Sequence, residues 1–219
     1  GATRMEALKL LAKVNNDDCR DVLKAAISDP YEYIRRQTAY IITDMGDDSL
    51  IPAMVTLAIT DRHSKRVFGK ARDGLTFMDC DKGIAEIARQ LAGDTYLVDA
   101  ASLADALTKQ LEYTQFKLKR DTKTMMDTSA SLRERLMEVS TLRTYNYHAV
   151  LPLVAELILN KSENKQIRLA ALDAFSWYTH SYQRPLILAT CDKILADAGS
   201  DEDLKEQALR TRNRMHARL

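Results

Sequence analysis

The sequence predicts an all-α protein assembled from repeated helix pairs, and three observations carry that expectation. Apolar residues recur at helical spacing along most of the chain. Gly 7 and Pro 4 in 219 residues are too few for the many turns of a sandwich or barrel. One two-helix pattern also returns with a period of roughly thirty residues, as in an α-solenoid.

The clearest copy runs from Asp17 to Asp47. Val22, Leu23, Ala26 and Ile27 mark the inner face of its first helix, which Asp29-Pro30 closes. Its second helix starts near Tyr31, carries Ile34, Thr38, Ile41, Ile42 and Met45 on one face, and stops at Gly46, a C-terminal cap residue. If Ile34 is position zero, a small residue follows at four and an apolar one at eleven. The same marks fall at Thr3, Ala7 and Val14; Val67, Ala71 and Met78; Ile167, Ala171 and Tyr178; and Leu204, Ala208 and Met215. These positions share a helix face, and a small side chain in its middle lets a neighbouring helix approach. The residue after position zero is Arg4, Arg35, Phe68, Arg168 or Lys205, basic in all but one.

In chain order, 3–14 reads as a second-type helix and 17–28 with 32–45 as the first full pair. Asp48 is expected to cap the next first helix, with Pro52 in its opening turn and Ile51, Met54, Leu57 and Ala58 inward. Helices are then expected over 65–78 and 82–92, the latter ended by Gly93-Asp94. The period breaks over about 95–145, an irregular insertion or a degenerate repeat. Leu103, Leu107, Leu111, Thr114 and Leu118 predict a long helix to about Arg120. Residues 121–130 read as a loop. Ser131 and Glu134 form a capping box before Leu132, Leu136, Val139 and Leu142. The register returns at 148–160 (Val150, Leu153, Val154, Leu157, Ile158), 165–178 and 183–198, and Ser200 is expected to cap the last helix ahead of Asp201, Glu202 and Asp203. Arg210, Arg214 and Arg218 line one side of that helix's end, where cations suit its dipole.

The run from Asp29-Pro30 through Ile34, Arg35, Arg36, Ala39 and Gly46-Asp47 resembles the pattern of HEAT repeats. The resemblance implies a right-handed α-α superhelix of about a dozen helices with an irregular middle, as a single domain over 1–219. It also implies that second helices line a concave face and that Asp29 and Arg35 join a ladder between neighbouring repeats. Phe68 and Ser162 depart from that ladder. Because the chain begins Gly-Ala-Thr inside a second-type helix, it is expected to be cut from a longer parent.

Lys+Arg 32 against Asp+Glu 31 leaves a net charge of +1, so global charge points to neither nucleic acid nor an anionic membrane surface. No apolar run is long enough to span a bilayer, and no signal peptide is visible. Cys19, Cys80 and Cys191 are far apart and read as free structural thiols. His63, His148, His180 and His216 are isolated, and Asp79-Cys80-Asp81 reads as a helix start. Arg62, Arg66 and Lys70 form a basic stripe best read as a solvated face. With no metal-binding, nucleophile or phosphate-loop motif, the chain reads as a non-enzyme without cofactor, metal or catalytic residue.

Positions three, six and ten of each second helix point away from its buried face. There stand Tyr40, Asp44, Lys70, Asp73, Phe77, Asp173 and Trp177, the expected partner-binding residues, because large aromatics dominate binding energy at interfaces. The cluster Phe175, Trp177, Tyr178, His180 and Tyr182 fits either a packed corner or an aromatic platform. The expected function is a non-catalytic scaffold that offers its concave face and the 121–130 loop to a protein partner or to another domain of its parent. Two alternatives are nucleic-acid binding, through Arg35, Arg36, Arg66 and Lys70, and a helper domain of a secreted or carbohydrate-active enzyme. Asp44, Asp73 and Asp173 on the same face make nucleic acid the poorer fit.

Overall fold

A computed structural model describes residues 2–14, 17–92, 94, 97–145 and 147–216, with no account of the side chains of Ala2 and 11–14. The expected marks at Val14, Gly93 and Arg218 therefore lie outside the described residues. Twelve α-helices, two one-turn 3-10 helices and no strand occur among the described residues, so the fold is all-α. Two compact units divide the chain, Gly1–Lys117 and Leu118–Leu219.

The first unit holds α1 (Ala2–Val14), α2 (Asp17–Ala26), α3 (Glu32–Met45), α4 (Ile51–Thr60), α5 (Lys65–Leu75), α6 (Cys80–Leu91) and the start of α7 (Ala100–Met126). Second helices α1, α3 and α5 stack in one layer, and the first helices α4 and α6 pack together in the other, the two-layer build of an α-solenoid. Ile34, Thr38, Met45, Val67, Ala71 and Met78 are buried as their marks require. Gly46 takes the left-handed conformation at φ 58 and its N–H donates to the Ile42 carbonyl, ending α3 as expected. Gly74 serves packing instead. A Cβ there would overlap Thr43 Oγ1 and Met54 Cε, so its missing side chain is what seats α5 against α3 and α4.

Three expectations fail in this unit. Thr3 and Ala7 are exposed, and α1 instead buries Met5 and Leu8, a register set by its contact with α3. Val22 is exposed because α2 turns Cys19, Leu23 and Ile27 inward. Asp48 does not cap α4: Asp47 accepts from the Ser49 N–H, while Asp48 accepts from the Asp79 N–H at 3.1 Å and pairs with Lys82 at 2.9 Å.

The second unit holds the rest of α7, then α8 (Leu132–Thr141), α9 (Leu151–Leu159), α10 (Lys165–Phe175), α11 (Arg184–Ala196) and α12 (Glu202–His216). Here α8, α10 and α12 form one layer, α9 and α11 the other. Ile167, Ala171, Tyr178, Leu204, Ala208 and Met215 are all buried. The expected loop at 121–130 is corrected: α7 continues to Met126 because Asp121 and Met125, both buried, prolong the stripe of Leu107, Leu111 and Thr114. Arg120 satisfies Asp121 at 2.7 Å, which allows a carboxylate on that stripe. The capping box of Ser131 and Glu134 is present, but Leu132 is exposed and Arg135 is buried in its place. Leu153 is exposed, since α9 turns Leu151, Val154, Leu157 and Ile158 inward. Ser200 does not cap α12; its hydroxyl donates to Asp197 at 3.1 Å.

Arginines organise both units. Arg4 pairs with Asp29 at 3.0 Å, and Arg35 makes two bonds of 2.7 Å to Asp61. Arg135 likewise forks onto Glu163 at 2.9 and 2.6 Å. Arg35 thus reaches the acid one pair further on, and only the carbonyl of Asp29. Arg135 Nε also donates to the Met125 carbonyl at 2.9 Å, as Arg168 Nε does to Ile158 at 2.8 Å. Each of these two arginines closes the C-terminal end of the preceding helix, where a cation suits the dipole. Arg135 and Arg168 play one role, so α8 is a second-type helix and the end of α7 is its first.

Candidate functional site

The expected binding residues fall into two groups, one in each unit. In the first unit, α3 presents Tyr40 and Asp44, and α5 presents Lys70 and Asp73. The Tyr40 ring is 44% exposed, with Lys70 Nζ 4.1 Å from its centroid. Burial against these helices pushes the Lys70 ammonium down, and the carboxylates of Asp44 and Asp73 oppose that shift. Asp73 is held by Arg72 at 2.8 Å. Phe77, half-buried, follows the end of α5 in a turn where its N–H donates to Gly74 at 3.1 Å. Tyr40 and Lys70 are brought into contact, with Asp44 and Asp73 acting electrostatically on the same lysine.

In the second unit α10 ends at Phe175, and the turn that follows sends Trp177 outward while Tyr178 goes inward. Trp177 is 44% exposed. Two guanidiniums stand over its indole, Arg143 at 5.3 Å and Arg214 at 4.7 Å. Both are within cation–π range. Arg143 also pairs loosely with Asp173 at 3.4 Å, so the structure joins Asp173 and Trp177 through an arginine that the sequence pattern does not single out. Arg214 donates to Ser176 Oγ at 3.4 Å. Two other members of the aromatic cluster are packed, with His180 and Tyr182 half-buried: Phe175 is fully buried and the Tyr178 hydroxyl donates to the carbonyls of Leu142 and Tyr145 at 3.0 Å each. His148 sits edge-on to Tyr178 and shares a 2.8 Å hydrogen bond with Ser181, both too deeply buried to meet a substrate.

Sequence reasoning missed other exposed rings. Tyr31 lies under Arg4 and Tyr33 under Arg36, at 5.0 and 5.6 Å. Tyr113 and Phe116 project from α7 at 67% and 68% exposure. The signal for this last pair was available: both stand opposite the Leu103, Leu107, Leu111 stripe, on the face helical geometry turns to solvent. Arg214 stands at the expected exposed position of the last second helix, but Arg143 could not be found this way, because it reaches Trp177 from the turn after α8.

Burial raises all three thiols, Cys80 and Cys191 to about 12, with neighbouring aspartates adding to it at both. Among the described residues no three His, Cys, Asp or Glu side chains gather as metal ligands would, and no helix is long and apolar enough to cross a membrane.

These features define an α-solenoid-type helical-repeat protein with exposed aromatics on its second helices and at their ends. No protein-family model and no curated protein matches the chain. It is similar to a solved structure described as human deoxyhypusine hydroxylase in complex with glycerol, with TM-score 0.37 and 17% identity over 97% of this chain and 89% of that one. That structure is of an enzyme, so the reading of this chain as a non-enzyme is withdrawn. A likeness at this level assigns no reaction, cofactor or catalytic residue here.

Proposed function

We propose that the chain is a HEAT-like repeat module that holds a protein partner, or another domain of its own parent chain, on the exposed faces of its second helices. The observation that carries this reading is Trp177, the one tryptophan, left 44% exposed with two arginines over its ring. Trp and Arg are the residue types most enriched among interface hot spots. The Tyr40–Lys70 contact supplies a second anchor in the first unit. Nucleic-acid binding is weakened as an alternative, because Arg35 is already taken up by Asp61 and Lys70 works between two aspartates.

The test places a photo-cross-linking residue at Trp177, and separately at Tyr40, in cells of the source organism. A discrete cross-linked protein is expected at one or both positions, and Trp177→Ala should weaken its binding by about 2 kcal/mol or more. That change should cost under about 1 kcal/mol of stability, since a half-exposed ring is removed and no cavity opens. Cross-links at neither position would end the proposal.

A further inference from the structure

We infer that the Arg143–Trp177–Arg214 cluster of the second unit binds carboxylates of an acidic protein segment; this rests on the protein-binding reading above and specifies its partner. Three observations lead there. An arginine whose guanidinium lies over an aromatic face is held there by cation–π attraction without using its N–H donors on a carboxylate, and those donors match a carboxylate bidentately. The indole thus holds two forks in place before any ligand arrives, which removes part of the ordering cost of binding. The donors are also underused. Among the described residues, Arg214 gives one bond of 3.4 Å to Ser176 Oγ and meets no carboxylate within 4.0 Å, and the one carboxylate Arg143 meets is the half-exposed Asp173 at 3.4 Å. Two other arginines of this unit are matched to carboxylates: Arg135 is forked onto Glu163, and Arg210, one turn before Arg214, is paired with Glu206.

The local balance is then two guanidiniums against one carboxylate. That surplus suits a side-chain carboxylate, whose aliphatic stem can lie on the exposed part of the indole. A nucleic-acid strand fits less well, because its run of phosphates would have to pass Asp173. A neutral segment would leave both forks unanswered.

Trp177 reports directly, since no other tryptophan contributes to the emission. Indole fluorescence is followed while the whole chain is titrated with an acetylated glutamate oligomer, a glutamine oligomer of the same length, and single-stranded oligothymidylate. The glutamate oligomer is expected to change the emission saturably and more weakly as salt rises. Arg143→Ala and Arg214→Ala should each weaken it about tenfold, the worth of one charge-assisted hydrogen bond. Asp173→Asn should tighten it, because it removes the competing carboxylate; this gain cannot arise from misfolding. Equal binding of the glutamine oligomer, tighter binding of oligothymidylate, or no binding of any probe overturns the inference. If the glutamate oligomer fails while a protein still cross-links through Trp177, the acidic specificity falls and the protein-binding reading stands. If the cross-link fails as well, both fall.

Discussion

Replacing Glu163 by alanine should be among the most damaging single changes in the second unit. Glu163 accepts two hydrogen bonds from Arg135 at 2.9 and 2.6 Å and one from the Asn164 N–H at 2.7 Å. The side chains are 3% and 6% exposed. Arg135 cannot swing out to water without also giving up its bond to the Met125 carbonyl. Loss of the acid therefore leaves a guanidinium buried and unpaired, which costs about 3–5 kcal/mol. Domains of this size are stable by about 5–15 kcal/mol, so the loss is a large share of the whole. Urea unfolding followed by Trp177 emission reads the unit that contains the pair, and the midpoint should fall with little change in slope.

The pH dependence gives an independent check. Burial would raise the Glu163 carboxyl, but the hydrogen bonds from Arg135 and the Asn164 N–H, together with the charges of Arg135 and Arg168, outweigh it and hold the group below the ordinary glutamate value. Its folded pKa is thus lower than its unfolded one. Its contribution is complete above the unfolded value of about 4.3 and is lost as pH falls through the folded value. The gap between wild type and Glu163→Ala should accordingly narrow in acid. A cost below about 1 kcal/mol at neutral pH, or a gap that does not change with pH, would refute the reasoning. Replacing both residues by methionine should restore stability to within about 1 kcal/mol of wild type, because the desolvation cost goes with the charges.

Other outcomes follow from the packing. Gly74→Ala should destabilise the first unit by about 1–3 kcal/mol in thermal unfolding, since the new methyl group has to displace Thr43 or Met54; a neutral result would mean that α5 can shift away from α3. The three buried thiols should react with a disulfide reagent at pH 8 only after unfolding, Cys80 and Cys191 most slowly, and rapid labelling of the native chain would contradict their raised pKa values. Ser131→Ala should cost about 1 kcal/mol by removing the cap of α8, measurable by urea unfolding, with Glu134→Ala giving part of the same loss.

Most helices were legible because their buried faces are built from apolar side chains at regular spacing. Ile34, Val67, Ile167 and Leu204 could be read from sequence alone and are buried. Two of the errors share a cause, a polar side chain performing an apolar one's duty. Asp121 continues the α7 stripe with its charge met by Arg120, so the apolar pattern stops some six residues before the helix does. Arg135 occupies the core position of α8, so that helix matches no repeat by its apolar residues alone. The acid it needs, Glu163, stands beside Ser162, one place from where the repeat pattern looks for it. The exposed aromatics Tyr40 and Trp177 were also legible from helix geometry. Lys70 was legible on the same face as Tyr40, whereas Arg143 was not, because it reaches Trp177 from the turn after α8.

The arginine rungs also bear on how such a chain can change its length. One rung closes an arc of 26 residues, Arg35 to Asp61, and another an arc of 28, Arg135 to Glu163, yet both end in two hydrogen bonds to one carboxylate. Loop-closure entropy grows only with the logarithm of arc length, so two extra residues cost almost nothing. The rung behaves as a clasp rather than a spacer: it fixes where successive turns meet and is indifferent to how much chain lies between. Residues can therefore be gained or lost inside an arc without disturbing its ends, and a lineage of such repeats will drift in period while its clasps stay in place.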